Sequence, residues 1–503
     1  MNVYSKLLAW AKNFTFLSCF VTYQALFHRE DFFNKVFKRF EINSRWLLVF
    51  SSKSRSRGDL YYDQGNFEKG IRLGQKKGKF RRLQGRRFEE AKAPFSFPIY
   101  QSVKLDKANK AEPTLYFVTN SLPFTTSGYA IRTENVANML RGNGISLRVC
   151  TRVGYPLSVG RWTSELQSVQ RKNGIVRLIP WSFSWDARKR RRQSVRLLER
   201  EARDLNARLI ITTTSFEKAS IVSEVARNLE IPWAYEVRGE PEATWLADAA
   251  VRRDESSEFF QSSRLKENEA VQKSAAQIFL SHVSKESFET RGVKLSKPVI
   301  LPNAVNPVTP VNNEEPRHRE RVRPADKEEI VVGSISSLVG YEGFDILIDA
   351  LALTEDRFRL LLVGSGQEKD ALERRAKKLG LQDRISFVGA RPHSEIGEWY
   401  EKLDIFVLPR KDFLVTRTVT PIKHFEAMVR GVPIVASDLP ALREATGGHA
   451  TFFEAGSARD LAKSLKMVAD GHHQAVKARQ WVQERTWTNV GEDLIKELWT
   501  NEG

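Results

Sequence analysis

Twice along this 503-residue chain, short apolar runs alternate with longer amphipathic ones, and a stretch with neither pattern separates the two tracts. In the first tract TLYFVTN reads as a buried strand, SLPFTTSGY as a loop, AIRTENVANMLRGNG as a helix closing near Gly144, and SLRVCTRV as the next strand. RLIITTT and PWAYEVRG are strands around the helical FEKASIVSEVARNLE, and AAQIFLSH and PVILPNAV complete the set. Strands this apolar, each followed by a helix, argue for a parallel sheet covered on both faces. Residues 307–328 hold four prolines and many charges, and read as a linker. The second tract starts at EIVVGSI and continues through strands RFRLLLVGSG, RISFVG, IFVLP and PIVASD, with GFDILIDALAL, QEKDALERRAKKLG, SEIGEWYEKL and PIKHFEAMVRG as helices. The expected organisation is therefore an α/β protein with two Rossmann-like, doubly wound parallel-sheet domains, 111–306 and 329–480. An extension over 1–110 precedes them, and a helix over 481–503 crosses back. Two such domains face a cleft, and ligands sit beyond the carboxyl ends of the strands.

The net charge of +19 is uneven. Residues 1–110 hold 23 Lys and Arg against 9 Asp and Glu, a net of +14, and the rest of the chain carries only +5. Within the extension, Phe33, Phe37 and Phe40 recur at roughly helical spacing among Lys35, Lys38 and Arg39. That pattern suits either a helix lying on an anionic membrane surface or one packing its aromatic stripe on the body. Residues 51–95, with GQKKGKFRRLQGRR, read as a flexible, solvated segment, and nucleic acid is not an expected partner. Two cysteines, Cys19 and Cys150, exclude a disulfide framework and fit a reducing, cytoplasmic setting. No Cys/His cluster has metal-ligand spacing, and no run is apolar enough to span a bilayer.

The segment Arg417 to Pro433, RTVTPIKHFEAMVRGVP, reads as the start of a helix built to hold an anion. Thr420 is a good N-cap, Pro421 suits the first helical position, and Gly431 with Pro433 supplies a stop. Lys423 would then stand in the first turn, where the helix dipole disfavours a cation by about 0.3–1 kcal/mol unless an anion is bound. Lys423 and Glu426, three residues apart, would share a face. In the first tract, Gly128, Tyr129 and Arg132 lie in or just after a strand-to-helix loop facing the expected cleft. Glu236 and Arg238 alternate with apolar neighbours at a strand end, which suits either a functional pair or an internal ion pair. His282 and His424 read as structural.

The second tract resembles the donor-binding domain of glycosyltransferase family 4, retaining enzymes of the GT-B fold. The matching pieces are VVGSISSLVGYEGFDILIDAL, LLLVGSGQEKDALERRAKKLGL, RISFVGARPHSEIGEWYEKLDIFVLPR and VTPIKHFEAMVRGVPIVASDLPALREAT. NSLPFTTSGYAIRT, IPWAYEVRGEPEATW and ILPNAV extend the likeness to the first tract, covering roughly 114–490. The resemblance implies transfer of a sugar from a nucleotide diphosphate sugar to a glycan or lipid-linked acceptor, with no cofactor and no metal. It implies a place in surface polysaccharide synthesis, and the basic, aromatic residues 1–50 suggest a peripheral position on the inner face of the plasma membrane. It matches Glu426 to the acid that accepts hydrogen bonds from the ribose, Gly364 and Gly366 to a close nucleotide approach, and Val388–Gly389 to base reading. The first acid of the family pair falls at Thr418, its Gly–Arg at Gly333–Ser334, and its lysine before glycine at Glu342. Both usual diphosphate cations are thus missing. Lys423, with Arg410 or Arg417, is the expected substitute, beside Thr420 and Ile422. Arg238 is expected to contact acceptor or phosphate. The same fold also serves sugar-nucleotide epimerases and phosphorylases, and a degenerate body could act as a membrane- or nucleic-acid-binding scaffold.

Overall fold

The computed structural model describes residues 3–27, 61–74, 79–162, 174–248, 253–306 and 328–500. The first sheet has seven strands: β1 (Thr114–Val118), β2 (Leu147–Thr151), β3 (Ile175–Arg177), β4 (Leu209–Thr213), β5 (Trp233–Val237), β6 (Ala276–Phe279) and β7 (Pro298–Ile300). They run parallel in the order β3-β2-β1-β4-β5-β6-β7. The second sheet has six: β8 (Ile330–Ile335), β9 (Phe358–Val363), β10 (Ile385–Gly389), β11 (Ile405–Leu408), β12 (Ile434–Ser437) and β13 (Thr451–Phe453). These are also parallel, in the order β10-β9-β8-β11-β12-β13. Each sheet reverses its winding once, between β1 and β4 and between β8 and β11. The chain thus builds the two doubly wound α/β sheets that the alternating pattern implies.

All five residues of β1 are buried. Leu115 and Phe117 enter one core with Val222 and Trp233, while Tyr116 and Val118 enter another with Val136 and Val149. A strand covered on both faces has no solvent side, so its sequence reads as one apolar run. The helix Trp487–Leu498 belongs spatially to the first domain, where Trp487, Leu494, Ile495 and Leu498 join that second core. Trp499–Thr500 then pairs in parallel with Ala108–Asn109.

The N-terminal extension departs from the expectation of a flexible segment. Helices Phe67–Gly74 and Lys79–Lys92 pack against each other, and Gly70 lies so close to the Phe88 ring that a Cβ would overlap it. Phe67 and Phe88 are buried in an aromatic cluster with Tyr62, Phe95 and Phe259. Each such phenyl burial contributes about 1.5–3 kcal/mol, which orders a segment in which Lys69, Arg72 and Arg86 are exposed. Helix Val3–Phe27 also packs on the body: Phe16 is buried against Leu157 and Ile179, and Phe20 and Tyr23 meet Phe183. The aromatic-stripe-on-body reading therefore describes this first helix. Phe33, Phe37 and Phe40 lie outside the described residues. No helix among the described residues is long and apolar enough to cross a membrane.

Candidate functional site

The second domain presents its site where β8 and β11 end side by side. Ser336 directly follows β8, and its hydroxyl accepts a 2.7 Å hydrogen bond from Lys423 Nζ. The expected helix is shorter than the sequence suggests. It spans His424–Val429, so Thr420 does not cap it and Lys423 stands at its N-cap position rather than in its first turn. The cause is tertiary. Arg410 Nη1 donates to Val419 O at 3.0 Å, and the Tyr400 hydroxyl donates to Lys423 O at 2.7 Å. Residues 419–422 stand ahead of the helix, while Lys423 itself has helical dihedrals, φ −76° and ψ −27°. The Lys423 and Glu426 side chains nonetheless take different partners. Lys423 is partly buried and turns to Ser336, while Glu426 is exposed and pairs with Arg430 one turn on. The stop signal acts as read: Gly431 is left-handed at φ 66°, with Val432 N donating to Ala427 O.

Several expected donor contacts are spent within the protein. Arg410 forms a buried ion pair with Glu342 at 2.9 Å, so the acid standing where the resemblance expects lysine is matched by an arginine 68 residues later. Arg417 pairs with Asp412 on the exposed side of the short helix Leu414–Thr418 and brings no charge to the site. Thr418 turns its hydroxyl back to Leu414 O at 3.1 Å. Gly333 and Ser334 lie inside β8 rather than after it, and a Cβ at Gly333 would stand 2.2 Å from Leu361 O, a packing constraint. Gly364 and Gly366 are required by protein backbone, since added Cβ atoms would fall 1.8 Å from Ser336 O and 2.0 Å from Leu338 O. Val388 is the last residue but one of β10, and its carbonyl lies 3.4 Å from Arg391 Nη2. Thr420 Oγ1 is buried without a hydrogen-bond partner.

Lys423 is thus the cation left over. Burial lowers its pKa, Glu342 opposes that fall and Arg410 adds to it. Among the described residues Lys423 has no carboxylate within ion-pair distance and only the Ser336 hydroxyl as a side-chain partner. A partly buried ammonium in this setting is costly until an anion joins it. His424 beside it is fully buried, its Nε2 against Ala445 O at 2.7 Å, and burial brings its pKa down to about 3, so the ring is uncharged and structural.

The first domain faces this segment through the start of the helix Gly128–Gly142, so Gly128 and Tyr129 lie in its first turn rather than in the expected loop. A Cβ at Gly128 would stand 3.2 Å from Ile422 Cδ1, and one at Gly239 would stand 4.0 Å from Val419 Cγ2. Tyr129 lies exposed at this meeting of the two domains, its hydroxyl 3.5 Å from Arg238 O. Below it, Arg132, Glu236 and Arg238 form a closed cluster. Arg132 Nε and Arg238 Nη2 hold the two oxygens of Glu236 at 2.8 and 2.9 Å, and Tyr116 donates to the same carboxylate. Arg132 also donates to Leu301 O at 2.6 Å, and Arg238 Nη1 donates to Tyr129 O at 3.0 Å. The side chains are 2–3% exposed, so Arg238 and Glu236 are the internal ion pair, and Arg238 does not reach an acceptor. Arg132 is interior as well. Arg238 is a positioning residue: through Tyr129 O it holds the first turn of the helix Gly128–Gly142. Sequence reasoning missed Ser336, which no block match singles out, and the Glu342–Arg410 pairing.

Comparison with known proteins fits this geometry. Residues 316–484, about a third of the chain, match the family described as glycosyl transferases group 1. The lipopolysaccharide core biosynthesis mannosyltransferase LpsB of Rhizobium meliloti is 34% identical over 148 residues, 28% of this chain and 39% of that protein. The chain spans between 31 and 39% of the length of three curated relatives it matches. Among solved structures, sucrose-phosphate synthase from Thermosynechococcus elongatus superposes with a TM-score of 0.60 at 18% identity, over 76% of this chain and 98% of that one. Anabaena Alr3699/HepE in complex with UDP gives a TM-score of 0.56 at 18% identity over the same shares. The fold is GT-B.

Proposed function

We propose that this chain is a retaining glycosyltransferase that moves a sugar from a nucleotide diphosphate sugar to a glycan or lipid-linked acceptor in surface polysaccharide synthesis. The observation that carries the reading is Lys423. It is a partly buried ammonium with no carboxylate partner among the described residues, placed at the reversal of a doubly wound sheet and next in sequence to Ile422, which meets Gly128 of the first domain. A diphosphate there would supply the missing anion, and Ser336 and Thr420 offer hydroxyls beside it. Glu426, exposed one turn away, is free to exchange Arg430 for ribose hydroxyls. In the reaction the bond from the anomeric carbon to the phosphate oxygen breaks and one to the acceptor oxygen forms. The acceptor proton passes to the departing phosphate, whose charge Lys423 stabilises. The family match and the mannosyltransferase relative support the transfer chemistry, and the UDP complex of a protein with this fold supports the donor class.

A thermal-shift screen with UDP, GDP and their sugar conjugates tests the reading. A ligand at a hundred times its Kd stabilises by about 2.7 kcal/mol, which moves the melting temperature by several degrees. One base family should shift the protein and the other should not. No shift with any nucleoside diphosphate at millimolar concentration would refute the donor site. We extend the proposal to peripheral attachment on an anionic membrane surface through residues 28–50. Lys35→Glu/Lys38→Glu/Arg39→Glu should abolish flotation with phosphatidylserine vesicles, and unchanged flotation would remove that extension. Deleting the whole N-terminal extension would be uninformative, because Phe67 and Phe88 within it are buried in the body.

A further inference from the structure

A second cavity, of about 520 Å³, lies in the first domain, and none of its lining residues belongs to the second. It sits at the carboxyl edge of the sheet. Arg152 directly follows β2, and Lys218 stands in the helix Phe216–Leu229 that follows β4. Phe16 and Phe20 of the N-terminal helix, with Phe183, give it an aromatic wall.

Two basic side chains of the cavity have no ion-pair partner among the described residues. Lys218 is only 8% exposed, yet among the described residues its ammonium has no hydrogen bond or ion pair. The Arg152 side chain has none either, and its Nε is buried and unpartnered, as is the Ser158 hydroxyl in the same lining. Arg190 and Arg191, also in the lining, are by contrast paired with Glu90 and Glu224. The acid behind Lys218 is Glu267, which accepts bonds from Tyr235 Oη at 2.6 Å and Phe216 N at 2.8 Å. Burial pushes the Glu267 pKa up to about 8, with Glu242 adding to the rise and Lys218 opposing it, and no ion pair joins Glu267 to the lysine among the described residues. Burial likewise brings Lys218 down to about 7, with Glu267 opposing that fall and Arg152 adding to it. One exposed carboxylate, Glu217, remains in the lining against the two unpaired cations. A desolvated cation pair with orphaned donors is the arrangement an oxyanion completes through charge-assisted hydrogen bonds.

We propose that this cavity is an acceptor subsite for an acidic group, a phosphate monoester carried by the acceptor, held between Lys218 and Arg152 with the rest of the molecule against Phe16, Phe20 and Phe183. The inference rests on the transferase reading above, and it makes the acceptor an anionic saccharide or lipid phosphate rather than a neutral glycan.

Calorimetric titration of the full chain tests it. In saturating UDP, which occupies the Lys423 site, glucose 6-phosphate or hexyl phosphate should bind at least tenfold more tightly than glucose or hexanol. Glucose 6-phosphate as the tighter ligand identifies a sugar-borne phosphate, and hexyl phosphate a lipid-borne one. Lys218→Gln and Arg152→Gln should each cost about tenfold in phosphate affinity while UDP still binds. Arg152 lies nearer the surface than Lys218, so its variant keeps the test decisive if Lys218→Gln lowers stability. Phosphate esters binding no better than the neutral compounds, or binding undiminished in Arg152→Gln, would overturn the inference while UDP binding upholds the transferase reading. Failure of UDP itself to bind would instead overturn that reading.

Discussion

Lys423→Met should lower kcat/KM for sugar transfer by about 10²–10³, the loss typical of removing one preorganised group that faces developing charge, while the melting temperature stays level or rises. The two halves of this expectation share one cause. In the free protein the Lys423 ammonium is desolvated, bonded to the Ser336 hydroxyl at 2.7 Å and matched by no carboxylate, so it opposes folding. Methionine has nearly the same shape and no charge, so the substitution relieves that cost and leaves only the Ser336 hydroxyl without its donor. With donor bound, the same ammonium stabilises the departing diphosphate. A stability gain coupled to an activity loss is the signature of a functional strain point. Lys423→Arg should not restore turnover, because a planar fork does not occupy the place of a compact ammonium. Arg417→Ala serves as the control. Its exposed pair with Asp412 is worth about 0–1 kcal/mol, and activity should be unaffected. Steady-state kinetics beside thermal melts separate the outcomes. Near-parental turnover in Lys423→Met would make Lys423 a bystander and remove the main support for the proposed function.

The sheets were legible because strands buried on both faces have to be mostly apolar, as TLYFV and FRLLLV are apart from Thr114 and the half-buried Arg359. The site was less so, for reasons of distance along the chain. Thr420, Pro421 and Lys423 carry a sound local signal for a helix start, but Arg410 and Tyr400 take the carbonyls of Val419 and Lys423 and override it. Glu342 reads as a lost cation until Arg410 is seen beside it. Gly364 reads as room for a ligand, whereas its nearest neighbour is Ser336 O. In the extension, composition misleads in the opposite direction. A run such as KFRRLQGRRFEEAK looks solvated, yet one phenylalanine per two or three turns, here Phe88, is enough to anchor it. Charge density describes the outward face of a helix and says little about the inward one.

Glu236→Ala should destabilise the first domain by about 3–5 kcal/mol, the cost of stranding buried charges, and lower its melting temperature by on the order of 10 °C. The carboxylate is shared by Arg132, Arg238 and Tyr116, all nearly inaccessible, so its removal leaves two guanidiniums with no counter-charge. Burial alone would raise the pKa of this acid. Arg238 and Arg132 overcome that and hold it at about 2. A carboxyl with a depressed folded pKa stabilises the protein above its unfolded value, near 4.3, and loses that contribution as the pH falls toward 2. The parent should therefore lose stability on acidification through that window, and Glu236→Ala should lose less, because this linkage is absent from it. The effect also reaches the cleft. Arg238 holds Tyr129 O, Tyr129 is adjacent to Gly128, and Gly128 faces Ile422, while Arg132 lies over the Trp487 ring of the returning C-terminal helix. Loosening the cluster should raise KM for the acceptor more than it lowers kcat, since Glu236 reaches no reacting atom. Denaturant unfolding at pH 7 and at pH 3, with acceptor kinetics, checks each part. A stability change under 1 kcal/mol at pH 7 would mean that water or another acid can replace Glu236, contrary to the closed geometry of the cluster.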